Sequence, residues 1–274
     1  MRARAGRPSG EITRGTTGHN RLRRADRWVA AVYGPLLVSA ERPLVVDLGY
    51  GASHVTTTEM FLRLRRIRPD VEVVGVEIDP ARVAAARPYE RPGLSFAYGG
   101  FELPVDRPPT VVRAFNVLRQ YDEARAWEAW GLLRSRLAPG GVIVEGTCSE
   151  VGHRAAWVAL DAAGPRTVTL AARLAGFGTP ADLAERLPKT LIHRNVPGEP
   201  VHAFLRDFEH CWQVAAPYGA YGTRARWTAA VERLADTWPV AARPPLGGRR
   251  RWRLGEVTVP WAALAPQGPV LYAT

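Results

Sequence analysis

An α/β fold with a doubly wound, mostly parallel sheet and an N-terminal extension is predicted for this 274-residue chain by three observations. From Leu44 onward, short β-rich apolar runs alternate with longer helical patterns, the order that builds βαβ units. The first run, 44–48, is apolar at nearly every position, as a strand covered on both faces requires. Glycines follow it directly and a helical pattern comes next, which is where parallel sheets place their ligands.

The elements follow in order. After the strand at 44–48, Met60, Phe61, Leu64 and Ile67 share helical spacing, so a helix is expected over 55–68, with Pro69 ending it. Residues 71–76 form a second strand. Asp79 before Pro80 marks a helix start, because the carboxylate accepts from free backbone N–H groups and proline suits the first helical turn; the helix runs over 81–87. Strands are expected at 94–98 and 110–115, with 102–109 a loop. Trp127, Trp130, Leu133 and Leu137 form one stripe of a helix over 123–137, stopped by Pro139-Gly140-Gly141, and a fifth strand covers 142–146. Beyond Val151 the pattern loosens into a strand at 166–170, helices at 199–215 and 224–235, and a late strand at 251–259. The chain divides into a basic, partly flexible arm at 1–29 and one domain at 30–274, in which 43–148 is the ligand-binding half and 151–274 the substrate-side half.

Composition excludes several classes. With 46% hydrophobic and 23% charged residues, the chain has the profile of a folded globular protein. Its best apolar run, 28–40, is interrupted by Pro35 and is too short for a membrane span, which needs ~20 residues. The basic start has no apolar segment after it, so no secretory signal is expected. Two cysteines, Cys148 and Cys211, make neither a disulfide framework nor a metal-ligand pattern, and a cytoplasmic home is expected.

The net charge of +11 is concentrated at the ends. Residues 1–29 carry eight arginines against Glu11 and Asp26, and residues 241–274 carry five against Glu256. Such ends suit an anionic partner, RNA or a phosphorylated metabolite; biased Arg usage, with Lys189 the single lysine, accounts for the same numbers without one.

The chemistry-bearing residues lie after the strands: Asp47-Leu48-Gly49-Tyr50-Gly51 after the first, Glu77 at the end of the second, Tyr98-Gly99-Gly100-Phe101 after the third, Asn116 after the fourth, and Leu137-Ala138-Pro139-Gly140-Gly141 before the fifth. In this series the chain resembles the class I S-adenosylmethionine-dependent methyltransferases. Residues 45–51 look like their first motif, Val74-Gly75-Val76-Glu77-Ile78-Asp79 like their second, and 137–144 like their fifth-strand entry; the match covers about residues 43–148.

The resemblance implies a Rossmann-like methyltransferase sheet that binds S-adenosyl-L-methionine. It sets Gly49, Tyr50 and Gly51 under the methionine and ribose, has Asp47 organise that turn and face the donor's amino group, and makes Glu77 the acceptor for both ribose hydroxyls. It places Ile78, Gly100 and Phe101 around the adenine and Asn116 near the methionine moiety. Asp79 is a second choice for the ribose, with helix capping its stronger role. The chain departs from the pattern at Ser53, where a third glycine is common, at Gly100, where an acid often stands, and at Val111-Val112-Arg113, where an acid usually occurs early in the fourth strand.

A nicotinamide dinucleotide competes for the same turn, but its fingerprint needs a third glycine where His54 stands, and Glu77 follows Gly49 by 28 residues rather than by about 20. No catalytic base is identified. His54 follows the turn, and His193, His202 and His210 lie in the substrate-side half, where core or surface roles outweigh catalysis. Residues 15–24, rich in Gly, Thr and Arg, form either an anion-contacting lid or a tail leading into a helix capped by Asn20. Tyr218 and Tyr221 offer aromatic faces on a loop, and the nine tryptophans read as core. The expected function is methyl transfer to an acceptor of unidentified structure, RNA or a small anionic metabolite. A non-catalytic RNA- or nucleotide-binding module on the same fold is the alternative.

Overall fold

A computed structural model describes residues 8–15 and 17–269. Eight strands form one sheet in the order β3-β2-β1-β4-β5-β6-β7-β8. The first five are β1 (Leu44–Leu48), β2 (Glu72–Glu77), β3 (Leu94–Tyr98), β4 (Val111–Phe115) and β5 (Val142–Cys148), all parallel. Their order reverses between β1 and β4, the crevice where doubly wound sheets bind ligands. The expected boundaries of β1 and β3 are met, and those of β2, β4 and β5 shift by one or two residues.

The sheet is mostly parallel, as expected, and its second half adds antiparallel strands. β6 (Arg154–Asp161), β7 (Gly164–Ala172) and β8 (Glu256–Pro260) add as a run of antiparallel neighbours. β6 is absent from the sequence reading. It alternates between the two faces, Ala155, Trp157 and Ala159 on one and Ala156, Val158 and Leu160 on the other, so both faces are apolar and no polar alternation marks it. At the β6–β7 turn the Asp161 carboxylate accepts from the N–H groups of Ala163 and Gly164 (2.8 and 3.2 Å). The late strand is shorter than expected: residues 249–252 coil into a helical turn that puts the Arg251 guanidinium on Glu256 at 3.0 Å.

Helices cover both faces. α1 (Arg23–Ser39), α2 (Val55–Leu64) and α3 (Pro80–Ala86) pack on one, while α4 (Glu123–Arg134), α5 (Lys189–Ile192), α6 (Pro200–Val214) and α7 (Thr223–Leu234) form the other, which α8 (Arg249–Trp252) joins through Trp252. Asp79 caps α3 through Ala81 N–H at 2.9 Å and Asp122 caps α4 through Arg125 N–H at 2.7 Å. The buried Arg194 joins α4 to the C-terminal helices by a two-pronged pair with Glu123 (2.9 and 2.8 Å).

The expected boundary at residue 29 falls inside α1 and is corrected. Trp28, fully buried, meets Trp157 of β6 edge to face at 5.4 Å, so this helix belongs to the core. Asn20 does not cap it. Its φ is +60°, and its side-chain oxygen accepts from Arg63 at 3.2 Å. Seven tryptophans are buried, and Trp127 and Trp238 pack half-buried against them.

Residues 8–15 and 17–18 run as an irregular strap over the carboxyl ends of β1, β2 and β3. Phe101 N–H donates to the Ser9 carbonyl (2.9 Å), Arg82 to that of Thr13 (2.8 Å) and Ala52 N–H to that of Gly15 (3.0 Å), while the Thr17 hydroxyl donates to Tyr50 O (2.9 Å). No described helix is long and apolar enough to cross a membrane.

Candidate cofactor site

The site begins with a turn that only glycine builds. Gly49 (φ +67°) and Gly51 (φ +86°) flank Tyr50, and a Cβ on Gly49 would stand 2.6 Å from Val117 while one on Gly51 would meet Thr17 Oγ1 at 2.7 Å. Ser53, in place of a third glycine, lies beyond the tight part of the turn, just before α2.

Glu77, at the end of β2, is 1% exposed. Its Oε2 accepts from Gly51 N–H at 2.8 Å, and its Oε1 accepts from the N–H groups of Ile78 (3.0 Å) and Asp79 (3.2 Å), with Arg82 Nη1 3.6 Å away. A carboxylate has about four acceptor positions. Three are filled by backbone, so the expected reach to two ribose hydroxyls narrows to the remaining position on Oε2.

Asp47 has partners other than those the resemblance implies. Arg113 reaches both of its oxygens (3.0 and 2.6 Å), and the Thr57 hydroxyl donates to Oδ2 at 2.6 Å. The carboxylate therefore ties the turn to β4 and to the first residues of α2 while still lining the cavity. Arg113 also pairs with the buried Asp26, which Arg63 holds at 2.6 Å. Burial opposes the Arg113 charge, but Asp26 and Asp47 outweigh it and keep its pKa above the ordinary arginine value.

Two spaces open around these residues. A cavity of about 450 Å³ is lined by Asp47, Gly49, Tyr50, Gly51 and Asn116, together with Thr13, Arg14 and Arg21 from the strap and its continuation. Asn116 (φ +60°) turns its amide to Cys148 on β5, accepting from Cys148 N–H at 2.9 Å. The second space is a slot lined by Gly49, Glu77, Ile78, Gly100 and Phe101, in which only about 20 Å³ remains free. It is filled by Gly10 of the strap, at whose Cβ position Ile78, Tyr121 and Phe101 lie 3.4 to 3.5 Å away.

The expected site residues thus divide between cavity and slot, with Gly49 common to both. The absence of an acid at Gly100 has a steric cause: a Cβ there would lie 1.9 Å from the Ser9 carbonyl oxygen. Glu102, two residues on, accepts from Gly100 N–H (2.7 Å) and Ser9 N–H (2.8 Å) instead. Of the expected lid, Gly15, Thr17 and Arg21 do line the cavity.

The sequence reading missed Ser9, Gly10, Glu11 and Thr13 of the strap, Val117 and Tyr121 in the slot, and Arg119, Cys148 and Arg186 in the cavity. Position just past a strand end was the available signal for Val117 and Arg119. None of His54, His193, His202 and His210 lines either space; His54 stacks on Tyr89 at 3.5 Å. Tyr218 and Tyr221 are exposed in a helical turn between α6 and α7. Among the described residues, no three His, Cys, Asp or Glu side chains gather as metal ligands.

No protein-family model and no curated protein matches the chain. Solved structures align with part of it. The plantazolicin methyltransferase BamL, in complex with a triazolic desmethylPZN analog and SAH, is 13% identical over 47% of this chain and 46% of its own, with a TM-score of 0.37. A structure titled as a pericyclic reaction enzyme is 19% identical over 44% and 30%, at a TM-score of 0.35. Human N-acetylserotonin methyltransferase in complex with SAM is 19% identical over 46% and 36%, at 0.32. The chain spans between 30% and 46% of the length of these three. It is by its own strand order, reversed between β1 and β4 with helices on both faces, that the chain has a Rossmann-like fold in its first half, extended by three antiparallel strands.

Proposed function

We propose that the chain is a methyltransferase that uses S-adenosyl-L-methionine, with the nucleoside along the Gly49–Gly51 turn, Glu77 and the slot at Ile78, Gly100 and Phe101, and the acceptor in the cavity near Asn116. The observation that supports it best is Glu77, a buried carboxylate fixed by three backbone amides that retains one acceptor position beside a glycine turn. A ribose hydroxyl suits that position, as a donor to a fixed charged acceptor.

The residues fit such a group with one adjustment. The cavity lies within the range of small-molecule pockets, about 300–1,000 Å³. The slot has apolar walls in Ile78, Phe101 and Val117 suited to a flat base, which enters when Gly10 lifts out.

When bound, the donor would supply an electrophilic methyl group, carried on its sulfonium, to the acceptor's nucleophilic atom. The chain's part is to hold the two in line: the Gly49–Gly51 backbone approaches closely, Glu77 fixes the ribose, and the strap excludes water. No residue at the cavity is assigned as a base. The acceptor is read as a small anionic molecule, because the cavity is lined by Arg14, Arg21, Arg119 and Arg186. Two buried free thiols, Cys148 and Cys211, suit a reducing cytoplasm.

Calorimetric titration tests this reading. Binding of S-adenosylmethionine and of its demethylated product S-adenosylhomocysteine is expected; binding of neither overturns it.

A further inference from the structure

Across β1 from the Glu77 slot, the cavity wall carries two cations for which the proposed donor site has no use. Arg119 stands on the turn Leu118–Gln120, just past Asn116 at the end of β4. Arg186 ends the helical turn Pro180–Arg186, which Thr147 of β5 holds by donating its hydroxyl to the Arg186 carbonyl. Both side chains line the cavity.

Neither cation is fully matched, Arg186 sharing its one acid with Arg154. Arg119 makes no hydrogen bond or ion pair among the described residues. Arg186 has its Nε buried with no hydrogen-bond partner, and its Nη2 lies 3.3 Å from a Glu185 carboxylate that Arg154 also holds, at 2.9 Å. Partial desolvation and the Arg186 charge lower the Arg119 pKa, against the opposing pull of Glu185 and Cys148. Two guanidiniums held together at a cavity wall repel each other, and an anion between them reverses the sign of that interaction. The acids that line the cavity do not supply it: Asp47 is taken by Arg113, and Glu150 is exposed.

We propose that Arg119 and Arg186 form an anion subsite that holds a carboxylate or phosphate of the methyl acceptor. Only the naming of the acceptor rests on the methyltransferase reading. The anion site stands on the cavity, the unpaired Arg119 and the partnerless Nε of Arg186. The acceptor is favoured over the donor's own carboxylate because the methionine end is expected near Asn116 at β4, whereas Thr147 holds Arg186 at β5, one strand farther from the slot. Planar guanidiniums give such a group paired, directional N–H donors.

The test titrates inorganic phosphate into the whole chain, with and without saturating S-adenosylhomocysteine, and repeats it with Arg119→Gln and Arg186→Gln. Phosphate binding that falls about tenfold in each variant, with nucleoside affinity unchanged, is the expected result. Arg119 is exposed and unpaired, so its variant keeps the fold, and circular dichroism checks both. Failure of phosphate to bind, or equal binding by the variants, overturns the subsite. A tenfold loss of S-adenosylhomocysteine affinity in the variants, with 5′-methylthioadenosine unaffected because it lacks the carboxylate, gives the pair to the donor and overturns the acceptor assignment. Absence of nucleoside binding by the unaltered chain defeats the methyltransferase reading, and is told apart by the phosphate titration, which needs no nucleoside.

Discussion

Arg113 grips Asp47 by both carboxylate oxygens, Nε to Oδ1 at 3.0 Å and Nη2 to Oδ2 at 2.6 Å, from the adjacent parallel strand. With Asp26 on the third nitrogen, one buried cation joins α1, β1 and β4 directly beneath the glycine turn. Removing it leaves two buried carboxylates of which only Asp26 keeps a cation, Arg63. Arg113→Met is therefore expected to destabilise the fold by about 3–5 kcal/mol, measured by urea unfolding. A loss under about 1 kcal/mol would show that the carboxylates find other partners.

Glu77→Gln keeps the size of the side chain but removes its charge. Affinity for S-adenosylhomocysteine should fall by about tenfold or more, as expected for a charge-assisted hydrogen bond of about 1.5–3 kcal/mol. Calorimetry reads the change, and an unchanged affinity would remove Glu77 from the nucleoside contact.

Glu145 on β5 faces the core without a hydrogen-bond partner, and burial pushes its pKa up to about 8, weakly opposed by the Trp130 indole. The unfolded chain releases this proton at about pH 4.3. Below that value both states are protonated and folding bears no penalty. Between there and about pH 8 only the unfolded state is ionised, and stability falls by about 1.4 kcal/mol per pH unit. Glu145→Gln should match the wild type near pH 4 and exceed it by about 3–5 kcal/mol at pH 8. Urea midpoints at both values check this, and a gap that is constant with pH refutes it.

Gly100→Ala places a methyl where the Ser9 carbonyl lies, 1.9 Å from the new carbon. The strap should be expelled from the slot while the sheet is unaffected. Hydrogen exchange should then quicken at the Phe101 amide, which otherwise donates to Ser9, and stay slow along β1 and β4. S-adenosylhomocysteine should also associate faster, and stopped-flow rates equal to wild type would count against the strap as the barrier.

The parallel half was legible because its signals are local. Apolar runs, Asp79-Pro80, and Pro139-Gly140 each act within a few residues, and the structure puts β1 to β5 in those places. Glu77 and the glycine turn could be read for the same reason, since strand ends mark them. β6 was not legible: an Ala-rich strand buried on both faces has no period-2 contrast. α1 was divided because Asp26, Arg23, Arg24 and Arg27 resemble a solvated arm, and only the distant partners Arg113 and Trp157 reveal a buried side. The strap depends on contacts across some ninety residues, such as Ser9 with Glu102, which no local pattern encodes.

The edge-to-face meeting of Trp28 with Trp157 gives the molecule a fixed post. The described strap residues before α1, 8–15 and 17–18, are tied to the sheet by hydrogen bonds rather than by core packing, so an arriving nucleoside is expected to displace this short gate of main chain and leave the frame undisturbed. Entry and exit then become steps with a clock of their own, and turnover can be set by how fast the gate moves rather than by how fast bonds are exchanged.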